Sequence, residues 1–209
     1  QGCLAQAGAQ GCDLRFNARM VRVPVHTFSA ARPARSWLWR RLLPAEQDWV
    51  RQFFGEVQGA WLIARVRLGQ RRLGDTRRAL SMCGAWVSLP QAMYGHAALG
   101  QPLRLQHPVV AGVLAHELLH VLQRKQGMAV TRQAFVLQCR YLWWREDPYS
   151  YSSCRSAVAL LRQFWLANVE QQGQMWQDCV QALVAGQPLA SHVLLPLAVQ
   201  RGRLRRRGH

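Results

Sequence analysis

Val113-Leu114-Ala115-His116-Glu117-Leu118-Leu119-His120-Val121-Leu122 is an apolar run interrupted by two histidines and one glutamate. The spacing is His-Glu-x-x-His. On an α-helix, residues four apart leave the same face, so both imidazoles can reach one metal ion while Glu117 sits beside them as a candidate general base. For a chain of this length and composition, chance supplies such a match at a rate of about half a per cent. The competing reading is a buried helix whose polar groups satisfy one another. Three ionisable groups within five residues of a Leu/Val helix are costly to bury unless paired or bound to a metal, which favours the metal. A zinc site open to substrate takes these two histidines and one further His, Asp or Glu.

Working outward, the metal-bearing helix is predicted to open at Pro108, run to about Lys125 and close at Gly127. Met128 to Trp144 is again helix-compatible, and Asp147 to Ser153 breaks the pattern. One long helix is then predicted from about Ser156 to Ala185, with Leu161, Trp165, Val169, Trp176 and Val180 as its apolar stripe. Upstream, Leu43-Pro44 to Phe54 reads as a short amphipathic helix stopped by Gly55, and Trp61 to Leu68 as a strand. Ala79 to Pro90 reads as one or two further strands, with Gly84 as a turn or bulge. Ala85 to Leu89 carries two readings: the sheet edge that holds an extended substrate across the metal, or an ordinary core strand.

Only Glu146, Asp147, Glu170 and Asp178 supply carboxylates after the motif. No histidine falls six residues beyond His120, and His192 is close to the end. Glu146 is followed at once by Asp147-Pro148, which places it at a helix end or in a loop. Glu170 falls within the long predicted helix, with Gly173 one turn later, where a missing side chain lets two helices approach closely. Glu170 is therefore the preferred third ligand and Glu146 the alternative.

Around this core, residues 1–36 read as an N-terminal extension with one short strand at Met20 to Val25, residues 37–190 as the metal-binding domain, and residues 191–209 as a basic tail. The formal charge is +17, yet Lys125 is the only lysine among 27 basic residues, and five arginines lie in the last nine positions. An arginine excess of this kind also follows from GC-rich codon usage, so it weighs little for a nucleic-acid partner. The six cysteines show no C-x-x-C pair and leave the redox compartment open. The chain begins at Gln1, which fits either a missing start or a removed leader. No apolar stretch approaches the eighteen or so residues of a membrane span, and the expectation is a soluble protein.

The segments Leu43-Pro44-Ala45-Glu46 to Phe54-Gly55, Ala115-His116-Glu117-Leu118-Leu119-His120-Val121-Leu122-Gln123, Pro148-Tyr149-Ser150-Tyr151 and Asn168-Val169-Glu170-Gln171-Gln172-Gly173-Gln174-Met175-Trp176-Gln177-Asp178 occur in this order. In that order they resemble bacterial zincin-like proteins encoded near Rhs-type polymorphic toxins and type VI or contractile injection systems. The resemblance covers residues 43 to about 186 and implies a gluzincin-type site with Glu170 as third ligand. The family usually has Ala where Gly173 stands, and residues 1–36 and the arginine tail match none of it.

The expected fold is α+β, a minimal zincin-like arrangement in which a small β-sheet packs on the His-Glu-x-x-His helix and on a second long ligand-bearing helix. The expected chemistry is zinc-dependent hydrolysis of a peptide or protein substrate, with Glu117 as general base. Tyr149 or Tyr151 is a candidate hydrogen-bond donor to the oxyanion, and Asp178 a candidate acceptor that orients a ligand imidazole. The resemblance adds toxin or secretion-system proteins as partners, and a cytoplasmic or exported location. The alternative is a non-catalytic zincin-like module used for binding or assembly.

Overall fold

A computed structural model describes residues 39–72, 75–82, 84–152 and 157–187. The predicted strand at Met20 to Val25 and the basic tail lie outside these residues. In chain order the elements are β1 (Trp39–Arg40), α1 (Pro44–Arg65), β2 (Arg67–Gln70), β3 (Leu80–Ser81), β4 (Trp86–Leu89), α2 (Pro108–Lys125), α3 (Val130–Trp144), α4 (Ala157–Leu166) and α5 (Val169–Val184). The fold is α+β, with five helices and one small mixed sheet among the described residues.

Pro44 opens α1 in the first turn, where its fixed φ suits a helix and its missing N–H is not needed. The buried Glu46 carboxylate then ties this end of the helix to its surroundings. It accepts from Arg40 Nη1 and Nη2 at 2.7 Å each and from the amides of Leu43 and Leu103 at 2.8 and 2.9 Å. A buried carboxylate needs such pairing, and a bidentate guanidinium supplies it.

Gly55 does not end α1. It adopts φ 71° and ψ 171°, a kink beyond which the helix resumes to Arg65. The strand predicted from Trp61 is therefore helical up to Arg65, and only Arg67–Gln70 is extended. Leu62, in the last turn of α1, and Val66, its extended C-cap, are both fully buried, and this packing outweighs the imperfect alternation around them.

The strand order is β1-β2-β4-β3, with β2 and β4 parallel and the two outer pairs antiparallel. The edge-strand reading of Ala85 to Leu89 is corrected here: β4 lies inside the sheet, and β3 is the free edge beside α2. Arg124 of α2 fixes that edge by donating to Ser81 O at 2.8 Å and to Ser81 Oγ at 3.1 Å.

The predicted limits of α2 match the observed helix. At its end the Met128 amide donates to Gln123 O and the Gly127 amide to Arg124 O, with Gly127 at φ 81°. This is the Schellman closure that favours glycine. The single long helix predicted after Ser156 is instead two. Asn168 breaks it, because its side chain accepts from the Gln171 amide at 2.8 Å while Gln171 Oε1 accepts from the Asn168 amide at 3.1 Å. This reciprocal cap starts a new helix. Glu170 therefore lies in the first turn of α5.

Helices α2 and α5 form the central packed pair. Two glycines let them approach. A Cβ at Gly112 would fall 2.4 Å from Gln181 Cγ, and one at Gly173 would fall 2.6 Å from His116 Cε1. Leu114, Leu118, Leu122, Trp176 and Val180 are fully buried around this seam. By contrast α3 buries only Val130 and leaves Phe135, Leu142, Trp143 and Trp144 exposed.

Candidate metal centre

His116 and His120 both project from α2 toward the first turn of α5. Their Nε2 atoms are 3.0 Å apart, and Glu170 Oε2 lies 3.5 Å from each. Donors bound at about 2.0–2.1 Å to a tetrahedral zinc stand about 3.3–3.4 Å from one another. The donor set thus fits one such ion in both chemistry and spacing, and it is the only His/Cys/Asp/Glu group of this kind among the described residues. Glu146 is elsewhere. It is exposed, with Oε2 3.9 Å from Arg140 Nε.

The tautomer of His120 follows from a chain of hydrogen bonds. Gln172 Nε2 donates to the backbone carbonyl of Phe164 at 2.9 Å, and a carbonyl can only accept. Gln172 Oε1 therefore accepts from Gln123 Nε2 at 2.7 Å, and Gln123 Oε1 faces His120 Nδ1 at 2.8 Å. Nδ1 must carry the proton, which leaves the Nε2 lone pair free for a metal. His116 has no such support: its buried Nδ1 lacks a partner among the described residues. Its ring rests against Gly173 instead.

Burial pushes the His120 imidazole toward its neutral form, but the Glu170 carboxylate outweighs this and raises its pKa. Burial likewise favours protonated Glu170, and here His116 and His120 prevail, holding the carboxyl well below its usual range.

Glu117 is 8% exposed, yet among the described residues no hydrogen bond or ion pair engages its carboxylate. It faces a cleft of about 1290 Å³ that also receives His116, His120, Glu170 and Tyr149. The Tyr149 ring centre lies 6.3 Å from that of His116, and its hydroxyl accepts from Arg78 Nη2 at 3.1 Å. Burial, reinforced by the Glu170 charge, pushes this phenol up to about 12. It is a protonated donor throughout the neutral range.

Tyr151 and Asp178 are paired with each other: Tyr151 Oη donates to Asp178 Oδ2 at 2.6 Å, and Gln174 Nε2 donates to Oδ1 at 2.7 Å. The ring nitrogens that Asp178 was expected to orient are otherwise disposed, Nδ1 of His120 on Gln123 and Nδ1 of His116 without a partner among the described residues. No protein-family model, curated protein or solved structure matches the chain.

Three residues escaped the sequence reading. Gln123 follows His120 by three residues, the spacing of side chains on one helix face, and that offset was the available signal. Gln172, two positions after Glu170, leaves its helix in a different direction and offered none. Arg78 had none, since a loop has no period from which to read its direction.

Proposed function

We propose that this chain is a zinc-dependent metallopeptidase. The reading is carried by one observation: Glu117, whose carboxylate no hydrogen bond or ion pair engages among the described residues, faces the cleft beside three converging donors. His116, His120 and Glu170 would hold the ion. When bound, zinc supplies a Lewis acid that polarises a carbonyl and lowers the pKa of water. Glu117 takes the proton from the attacking water and passes it to the departing amine nitrogen, so that hydroxide adds to the carbonyl carbon as the C–N bond breaks. Tyr149 donates a hydrogen bond to the carbonyl oxygen as charge develops there.

The test is a fluorogenic peptide library offered to the zinc-saturated chain, with metal content measured in parallel. Glu117→Gln should lower turnover by about 10²–10⁴-fold and keep stoichiometric zinc. Unchanged turnover in that variant sinks the mechanism. Stoichiometric zinc without cleavage of any peptide by the unsubstituted chain would instead favour the binding or assembly module.

A further inference from the structure

The cleft is also lined by three arginines from the connection between β2 and β3: Arg71, Arg77 and Arg78. Arg71 and Arg78 are half-buried. The arginine–carboxylate pairs among the described residues lie elsewhere, at Arg40–Glu46, Arg51–Asp48 and Arg140–Glu146. The nearby Asp75 carboxylate accepts from the Arg77 amide. Across the cleft, Glu170 is engaged by the histidines and Asp178 by Tyr151 and Gln174. Neither neutralises these guanidinium groups.

Arg71 Nε is buried with no hydrogen-bond partner among the described residues. Arg78 is held beside the metal centre, because the hydroxyl it donates to belongs to the tyrosine whose ring faces His116. A half-buried guanidinium without a carboxylate partner is costly, and its planar fork of donors matches a carboxylate. Arg124, the other arginine in this cleft, is bonded to Ser81 and braces the sheet edge.

We infer that Arg71 and Arg78 form an anion subsite beside the metal centre, which selects peptides carrying a carboxylate close to the scissile bond. This rests on the peptidase reading for its substrate, though not for its charge chemistry. The carboxylate is either an acidic side chain or a free C-terminus.

The experiment measures fluorescence anisotropy of labelled Ala/Gly octapeptides on the zinc-loaded, full-length Glu117→Gln chain. Four probes are compared, bearing one central Glu or Gln, each with a free or an amidated C-terminus. The best carboxylate probe should bind about tenfold more tightly than its neutral twin. In the Arg71→Ala/Arg78→Ala double variant this advantage should disappear while zinc content is retained. An advantage that follows the Glu/Gln exchange identifies a side-chain carboxylate, and one that follows amidation identifies the terminus.

Equal binding of the four probes, or none, overturns the inference without any arginine substitution. An advantage that survives loss of both arginines also overturns it. If the unsubstituted chain binds acidic probes selectively and cleaves none, the peptidase reading fails alone. If it cleaves acidic and neutral probes equally well, the anion subsite fails alone.

Discussion

His116 and His120 leave the same face of α2 one turn apart, yet the protein holds them by different means. His120 is oriented through Gln123 and Gln172 to a backbone carbonyl of α4. His116 has no partner for Nδ1 among the described residues and is positioned by the surface that Gly173 leaves open on α5. One ligand is set by directional bonds and its neighbour by shape. Hydrogen bonds resist rotation of a ring but tolerate small shifts, whereas close contact across a helix seam resists any added volume.

Filling the seam is the strongest way to break this contrast. Gly173→Val should displace the His116 ring and lower zinc affinity on the order of a hundredfold, read by competition with a chromophoric chelator. Retention of full affinity would show that His116 is not held by shape. Next in size, Gln123→Leu should lower zinc affinity about tenfold and destabilise the metal-free fold by about 1–3 kcal/mol, because Gln172 Oε1 is left buried without a donor. Chemical denaturation with and without zinc separates the two effects. Adding Gln172→Leu should recover part of the stability and none of the affinity. The smallest effect is expected from Asp178→Asn, within about twofold in zinc affinity, since its carboxylate serves Tyr151 and Gln174. A tenfold loss would mean that the site near His116 relies on polar support after all.

Much of this arrangement was legible in the sequence because it is periodic or punctuated. The spacing of His116 and His120, Pro108 before them and Gly127 after them define α2. Glu170 could be preferred over Glu146 because Asp147-Pro148 marks a helix end, while Gly173 marks a close approach. What escaped depends on competition between local and distant contacts. Asn168 reads as a tolerable helix residue until its side chain caps a new one. Leu62 and Val66 fit both a strand and a helix until the core on which they pack is known. The place of β4 inside the sheet is a matter of strand order, which the alternation of Ala85 to Leu89 does not encode. Beyond the offset of Gln123 from His120 the glutamine relay is silent, since an amide on a helix face shows neither its partner nor its direction.

Gln123 does two things at the same position. Its side chain points His120, and its backbone carbonyl receives the Met128 amide that turns the chain out of α2 and toward α3. Because α3 forms one bank of the cleft, the aim of a donor atom and the width of the entrance share a single fulcrum. A change that rotates the end of α2 would alter both together, whereas variation in the connection between β2 and β3, which lines the opposite side of the cleft, can reshape its mouth without turning His120.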